Sequence, residues 1–134
     1  MNTRLAQPSA AVPFHSAAQA FREARQASLD LAAPLSAEDC QVQSMPDASP
    51  TKWHLAHITW FFETFLLERF EAGFVPFDPA FRVLFNSYYQ GVGEQYPRAQ
   101  RGLVSRPGLT DVKRYRANVD ERLAHRPGHD SATT

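Results

Sequence analysis

The chain has 134 residues, a length that suits one compact domain. Hydrophobic residues make up 43% and aromatic residues 12%, which is enough apolar material for a folded core. Acidic and basic residues balance at 14 each, so composition argues against a dedicated nucleic-acid binder and against a protein held on a membrane by a basic surface. The single cysteine, Cys40, excludes internal disulfides and favours a cytoplasmic protein in which this side chain is buried or half-buried.

The chain divides by composition into three parts. Residues 1–15 mix Ala, Pro, Ser and Gln without a period, which predicts a flexible leader. We expect a helical domain over residues 16–124 and a disordered tail over residues 125–134. No apolar run reaches the ~20 residues that a membrane span requires, and residues 1–16 have no sustained apolar stretch, so we expect neither a membrane span nor a signal peptide. Residues 76–134 carry nine bases and six acids, a mild cationic bias that would suit a small anionic ligand.

The first two predicted helices are separated by a proline. Small and apolar residues recur at intervals of three and four from Ser16, and Pro34 ends this helix. Ser36 begins a short connecting helix with acidic residues in its first turn, and that helix stops before Pro46.

The longest predicted helix runs without a break from Thr51 to Phe70. Ser49 is its expected N-cap, Pro50 takes the first helical position, and Gly73 offers a stop. The helix is apolar on most of its circumference, so we expect it to be central to an all-α bundle. One stripe contains Leu55, Ile58, Phe62, Phe65 and Leu66, and another contains Trp53, His57, Trp60, Phe61 and Thr64.

Two further helices are predicted, with a long loop between them. The first runs from Asp78 through Tyr89. Residues 91–108 contain four Gly, two Pro and three Arg, which indicates an irregular loop. Thr110 is expected to cap the last helix, which Pro127 ends. No segment alternates well enough to predict a strand.

His57 is the first candidate for chemistry. Aromatic residues one turn away on the same helix would hold its imidazole in an apolar shell, where a neutral ring is a good metal ligand. A histidine that only packs in the core is the more frequent outcome of such a pattern, so both interpretations stay open. His54 lies about 60° around the helix and is interpreted as a neighbour.

Two pairs of residues are weaker candidates for metal ligands. Glu63 and Glu68 point away from His57 or lie too far along the helix, so we expect them to face solvent or to pair with Arg69. His125 and His129 have the four-residue spacing of a helical metal site, but the proline and glycine between them break the helix that this geometry needs.

The long loop carries Arg98, Arg101 and Arg106. Their guanidinium groups could clamp a carboxylate or a phosphate through paired hydrogen bonds. Solvated loop arginines are the more frequent alternative.

Three long segments, in the right order, carry a family resemblance: residues 47–65, which include Trp-His-Leu-Ala-His at 53–57, then residues 77–89 and residues 97–107. They resemble the N-terminal DinB-like domain of the EgtB family, the iron-dependent sulfoxide synthases of ergothioneine biosynthesis. The resemblance covers about residues 17–124.

The resemblance implies a non-haem Fe(II) held by three histidines. In that family, oxygen couples the thiol of cysteine or γ-glutamylcysteine to the imidazole of hercynine and gives a sulfoxide. His57 matches the first iron ligand, and Arg98 and Arg101 match arginines that grip the carboxylate of the thiol substrate. A different DinB-like activity, metal-dependent thiol transfer, is a less favoured alternative.

The chain also departs from the family. The family's other two ligands form an H-x-x-x-H pair within an H-H-E-x-x-H-Q-E type motif on a later helix, followed by a second domain. Neither that motif nor the second domain is found here, and His125 and His129 lack the context of the motif. We therefore expect an N-terminal fragment that is inactive alone, whose incomplete bundle lacks its last helix and leaves the apolar face around Trp60 uncovered. The alternative is a non-catalytic helical module that binds a partner or a second copy of itself through that face.

Overall fold

The computed structural model describes residues 16–87, 89 and 91–125, so the predicted leader and most of the predicted tail lie outside the described residues. The chain forms two compact units that meet in sequence at Pro34 and Leu35. In the first unit, helix α1 spans Ser16–Ala32, as the sequence predicts.

The second unit is helical. It contains α2 (Ala37–Gln41), α3 (Thr51–Phe62), a π-helical turn (Glu63–Leu67), α4 (Glu68–Phe70), α5 (Phe81–Leu84), a 3-10 helix (Arg98–Leu103) and α6 (Leu109–Ala124). The described part of the chain has no strand, and one isolated bridge pairs Met45 with Ala48. The prediction of an all-α fold is therefore confirmed. No described helix has the length and apolar character needed to cross a membrane.

The core of this unit lies where α3 packs against α6. Buried apolar side chains come from both helices and from the segments near α5: Trp53, Leu55, Ala56, Trp60, Leu67, Phe81, Phe85, Val112, Tyr115 and Val119. Trp60 has 0% exposure, so the expectation of an uncovered face at Trp60 itself is wrong. Phe61 and Tyr89, whose ring centroids lie 6.1 Å apart, are the neighbouring aromatic residues that stay partly exposed. Cys40 is buried, as expected.

The helix starts agree with the sequence in one case and differ in two. Ser36 caps α2 through a reciprocal pair of hydrogen bonds with Asp39, as its sequence predicts. The N-cap of α3 is Pro50 rather than Ser49, because the Ser49 hydroxyl accepts a hydrogen bond from Arg101 instead. The N-cap of α6 is Gly108 rather than Thr110.

Three predicted segments differ from the structure in part: the long helix, the helix after it and the loop over residues 91–108. The backbone is helical from Thr51 to Phe70, as the sequence predicts, but it contains a π-helical turn that begins at the buried Glu63. The helix predicted from Asp78 through Tyr89 forms only over α5, because side chains of α3 take the carbonyl groups that a longer helix would use. The loop over residues 91–108 contains a 3-10 helix that buries Arg101.

Candidate functional site

Three ring N–H groups on α3 reach the end of α5. Trp53 Nε1 donates to the carbonyl of Leu84 at 2.7 Å, and Trp60 Nε1 donates to the carbonyl of Arg82 at 3.2 Å. Between them, His57 Nδ1 lies 2.6 Å from the carbonyl oxygen of Phe85. The last carbonyls of a helix have no partner within the helix, so these rings satisfy them.

The spacing of the three rings explains why they act together. His57 follows Trp53 by four residues and Trp60 follows His57 by three, which places all three on one face of α3. The imidazole stacks on Trp53 with centroids 4.8 Å apart and planes 11° from parallel. Its centroid lies 5.5 Å from that of Trp60, at 16°. The half-buried His57 ring is therefore held between two indoles, as the sequence predicts.

The carbonyl of Phe85 fixes the tautomer of His57. A carbonyl oxygen can only accept, so Nδ1 carries the hydrogen and Nε2 keeps a lone pair. Burial lowers the pKa of His57; the Phe85 carbonyl opposes this shift, and the nearby charge of Arg101 adds to it. The neutral ring with a free Nε2 lone pair is the form of histidine that binds a metal.

His54 has a different setting from His57. Its ring meets Trp53 edge to face, with centroids 5.4 Å apart, and the residue is exposed. The pKa of the His54 side chain is lowered. Partial burial is the main cause, and the charges of His57 and Arg101 contribute less. His54 is therefore a neighbour of the stacked rings rather than a member of the stack.

The two arginines matched by the resemblance lie in different surroundings. Arg101 is 2% exposed, and its guanidinium carbon lies 3.8 Å from the centroid of the Trp53 ring. Arg98 is half-buried and lines an open depression of about 490 Å³. The other residues that line this depression are Pro46, Asp47, Gln95, Pro97 and Ala99.

Glu63 does not face solvent, so the expectation for it is wrong. It is buried, and its carboxylate accepts hydrogen bonds from the hydroxyl of Tyr115 at 2.8 Å and from the backbone amide of Phe77 at 2.9 Å. Arg122 lies 3.7 Å from the same carboxylate. Glu68 is exposed, as expected, but its ion pair is with Arg82.

The family of the chain follows from a comparison with protein-family models, in which the DinB superfamily model matches residues 20–126. The chain belongs to the DinB superfamily. Membership in the DinB superfamily agrees with the helical fold. No curated protein matches the chain.

The described part of this DinB domain does not hold a complete metal site. Within residues 16–87, 89 and 91–125, no three side chains of His, Cys, Asp or Glu gather closely enough to bind an ion. His125 ends α6, is exposed, and lies 4.0 Å from Glu121, while His129 lies outside the described residues. Among the described residues, the imidazole of His57 is held by stacking on two indoles and by a backbone carbonyl.

Several contacts that build the site depend on residues that the sequence pattern does not connect. The carbonyl of Phe85 and the stacking of Arg101 on Trp53 both come from segments distant along the chain. The spacing of Trp53, His57 and Trp60 predicts an apolar shell around His57, but it does not predict the hydrogen bonds that these rings make with the α5 segment. Each of these rings carries an N–H donor, and this shared feature is the signal that points to hydrogen bonds with a neighbouring segment.

Proposed function

We propose that the chain is the N-terminal, metal-binding part of a non-haem iron sulfoxide synthase of the ergothioneine type. His57 supplies one Fe(II) ligand through Nε2. The substrates are hercynine and a thiol of the cysteine or γ-glutamylcysteine type. One O₂ is consumed as a C–S bond and an S=O bond form, and the C–H and S–H hydrogens leave in water.

The orientation of His57 is the observation that carries the proposal. Metal-binding histidines usually donate their other ring N–H to a carbonyl or a carboxylate. The 2.6 Å contact between His57 Nδ1 and the Phe85 carbonyl has this form. The flanking indoles of Trp53 and Trp60 limit rotation of the ring, so the direction of its lone pair is set before a metal arrives.

The donor chemistry fits one ligand position of an iron site. Imidazole is a borderline donor that suits Fe(II), and bound iron would supply open coordination positions for oxygen and the thiol. The remaining ligands must come from outside the described residues, since the described part of the chain brings no three ligands together. The chain alone is therefore expected to bind Fe(II) weakly and to lack coupling activity.

A reconstitution assay tests the function. The chain is mixed with a separately expressed segment that carries the family's H-x-x-x-H pair and second domain, and with Fe(II), hercynine, a thiol and oxygen. Mass spectrometry then measures the sulfoxide. We expect product from the mixture, none from the chain alone, and loss of product with His57→Ala.

His54→Ala is the matched control, because it removes an exposed imidazole three residues away on the same helix. It should leave the yield of sulfoxide close to that of the unmodified chain. Equal yields from the His57→Ala and His54→Ala mixtures would contradict the ligand assignment. Absence of product from the unmodified mixture, under conditions in which a complete synthase is active, would contradict the proposed reaction.

Self-association is a second candidate function, and the partly exposed rings of Phe61 and Tyr89 favour it. Phe65 packs against both, with centroids 5.0 Å from Phe61 and 5.1 Å from Tyr89, so the three rings form one apolar patch beside His57. Sedimentation velocity tests this function. A concentration-dependent dimer that Phe61→Ser abolishes would support it, and a monomer at all concentrations would contradict it.

A further inference from the structure

The guanidinium of Arg101 is held on three sides. Its face lies over the Trp53 ring, with the guanidinium carbon 3.8 Å from the ring centroid. Nη1 donates to the hydroxyl of Ser49 at 3.0 Å, and Nη2 donates to the backbone carbonyl of Asn86 at 3.2 Å. The side chain is 2% exposed, so these contacts replace water around the charge.

These contacts connect Arg101 to two of the three groups that hold the His57 ring, the indole of Trp53 and the backbone at Phe85. Trp53 is the indole that stacks on the imidazole at 4.8 Å. Asn86 follows Phe85 directly, and Phe85 provides the carbonyl that accepts from His57 Nδ1. The guanidinium of Arg101 therefore contacts both the Trp53 ring, which stacks on the imidazole, and the backbone next to the carbonyl that accepts from His57 Nδ1.

Asn86 adds a further restraint to the same backbone. Its side-chain amide donates to the carbonyls of Tyr89, Gly93 and Glu94 at 3.1–3.2 Å. The segment that follows α5 is thereby folded around Asn86, while Arg101 holds the Asn86 carbonyl from the other direction. Loss of Arg101 would remove a restraint on this carbonyl, which is next in sequence to the carbonyl of Phe85.

We infer that Arg101 is a positioning residue that sets the orientation and the tautomer of His57, rather than a residue that binds the substrate carboxylate. The guanidinium is 2% exposed, so a carboxylate in solvent does not reach it in this arrangement. Arg98 is less buried than Arg101 and lines the open depression. The effect of Arg101 on metal affinity rests on the proposed function, whereas its effect on the imidazole does not.

The test uses the full chain with ¹⁵N-labelled histidine, and NMR reads the hydrogen on each ring nitrogen of His57 at pH 7.5. We expect the unmodified chain to hold the Nδ1–H form. Arg101→Gln should shift His57 toward the mixture of tautomers seen in free imidazole. The matched control is Arg114→Gln, which removes an exposed arginine of α6 and should change nothing at His57.

A second readout is binding of Ni²⁺ to the same variants. Loss of a residue that orients a metal-binding histidine typically weakens binding about 10- to 100-fold. We expect this loss with Arg101→Gln and not with Arg114→Gln. If Arg101→Gln shifts the tautomer but leaves the affinity for Ni²⁺ unchanged, the assignment of His57 as a metal ligand fails and the positioning role stands. An unchanged tautomer in folded Arg101→Gln overturns the positioning role.

The unmodified chain provides a test that does not depend on the stability of a variant. Because Nη1 and Nη2 donate to different acceptors, rotation about the Cζ–Nε bond of Arg101 should be slow, with separate ¹⁵N signals for the two nitrogens. A single averaged signal would overturn the proposal. Ser49→Ala removes only one acceptor and should speed this rotation, and an unchanged rate would also overturn it.

Discussion

The hydroxyl of Tyr115 on α6 donates to the buried carboxylate of Glu63 at 2.8 Å, at the point where α3 changes into a π-helical turn. The other carboxylate oxygen accepts from the backbone amide of Phe77 at 2.9 Å. One side chain therefore joins three parts of the second unit. This is the largest difference from the sequence-based expectation, in which Glu63 faces solvent.

Glu63→Ala should lower the free energy of unfolding strongly. The Tyr115 hydroxyl and the Phe77 amide would each lose an acceptor, and an unsatisfied buried group costs about 1–3 kcal/mol. Glu68→Ala, farther along the same helical segment, removes only an exposed ion pair and should cost about 0–1 kcal/mol. Urea unfolding followed by tryptophan fluorescence measures both. Equal losses from the two variants would contradict the role given to Glu63.

Gly102 lies where the 3-10 helix meets Gln43. A Cβ atom at this position would lie 2.7 Å from Cβ of Gln43, and the Gly102 amide donates to the Gln43 side chain at 2.7 Å. Gly102→Ala should therefore lower the free energy of unfolding by about 1–3 kcal/mol, as overpacking does. Gly91→Ala is the control, since nothing lies within 4 Å of its added carbon. Thermal unfolding of both variants decides whether this contact is tight.

Cys40 is buried on α2, and burial, followed by the charge of Asp39, raises the pKa of its thiol above 9.0. A raised folded-state pKa means that the folded chain keeps the proton longer than the unfolded chain. The contribution of the protonated thiol to the free energy of unfolding is therefore fully present below pH 9.0, and it decreases as the pH rises further. The difference in unfolding free energy between the natural chain and Cys40→Ala should shrink above that pH, in urea titrations at pH 8 and pH 10.

The same cysteine gives a simpler check. At pH 8 the native chain should react with a thiol-specific reagent only as fast as the protein opens, and urea should speed the reaction. Fast reaction of the native chain would show that Cys40 is accessible and would contradict its burial.

Local sequence signals specify several of the helices. The periodicity from Ser16, the capping pair of Ser36 and Asp39, and the apolar run from Thr51 each lie within a few residues of the helix they specify. Propensity and capping act over one or two turns, so a single sequence contains the information for these elements.

The parts that sequence did not predict depend on distant contacts. Ser49 was expected to cap α3, but it bonds to Arg101, which is 52 residues away. The carbonyls near the end of α5 accept from Trp53, His57 and Trp60, and this pairing replaces further helix. His57 was identified because its neighbours are local. The carbonyl that sets its tautomer could not be identified, because nothing in the spacing connects residue 57 to residue 85.

The most direct test of the account is binding of Ni²⁺ at His57 Nε2. The full chain is titrated with Ni²⁺ at pH 7.5, and NMR follows the paramagnetic broadening of each imidazole. We predict that His57 broadens first, that His54→Ala leaves this broadening intact, and that His57→Ala weakens the binding of Ni²⁺ to the chain. Broadening that begins at His54 or His125 while His57 stays sharp would contradict the assignment of His57 as the metal ligand.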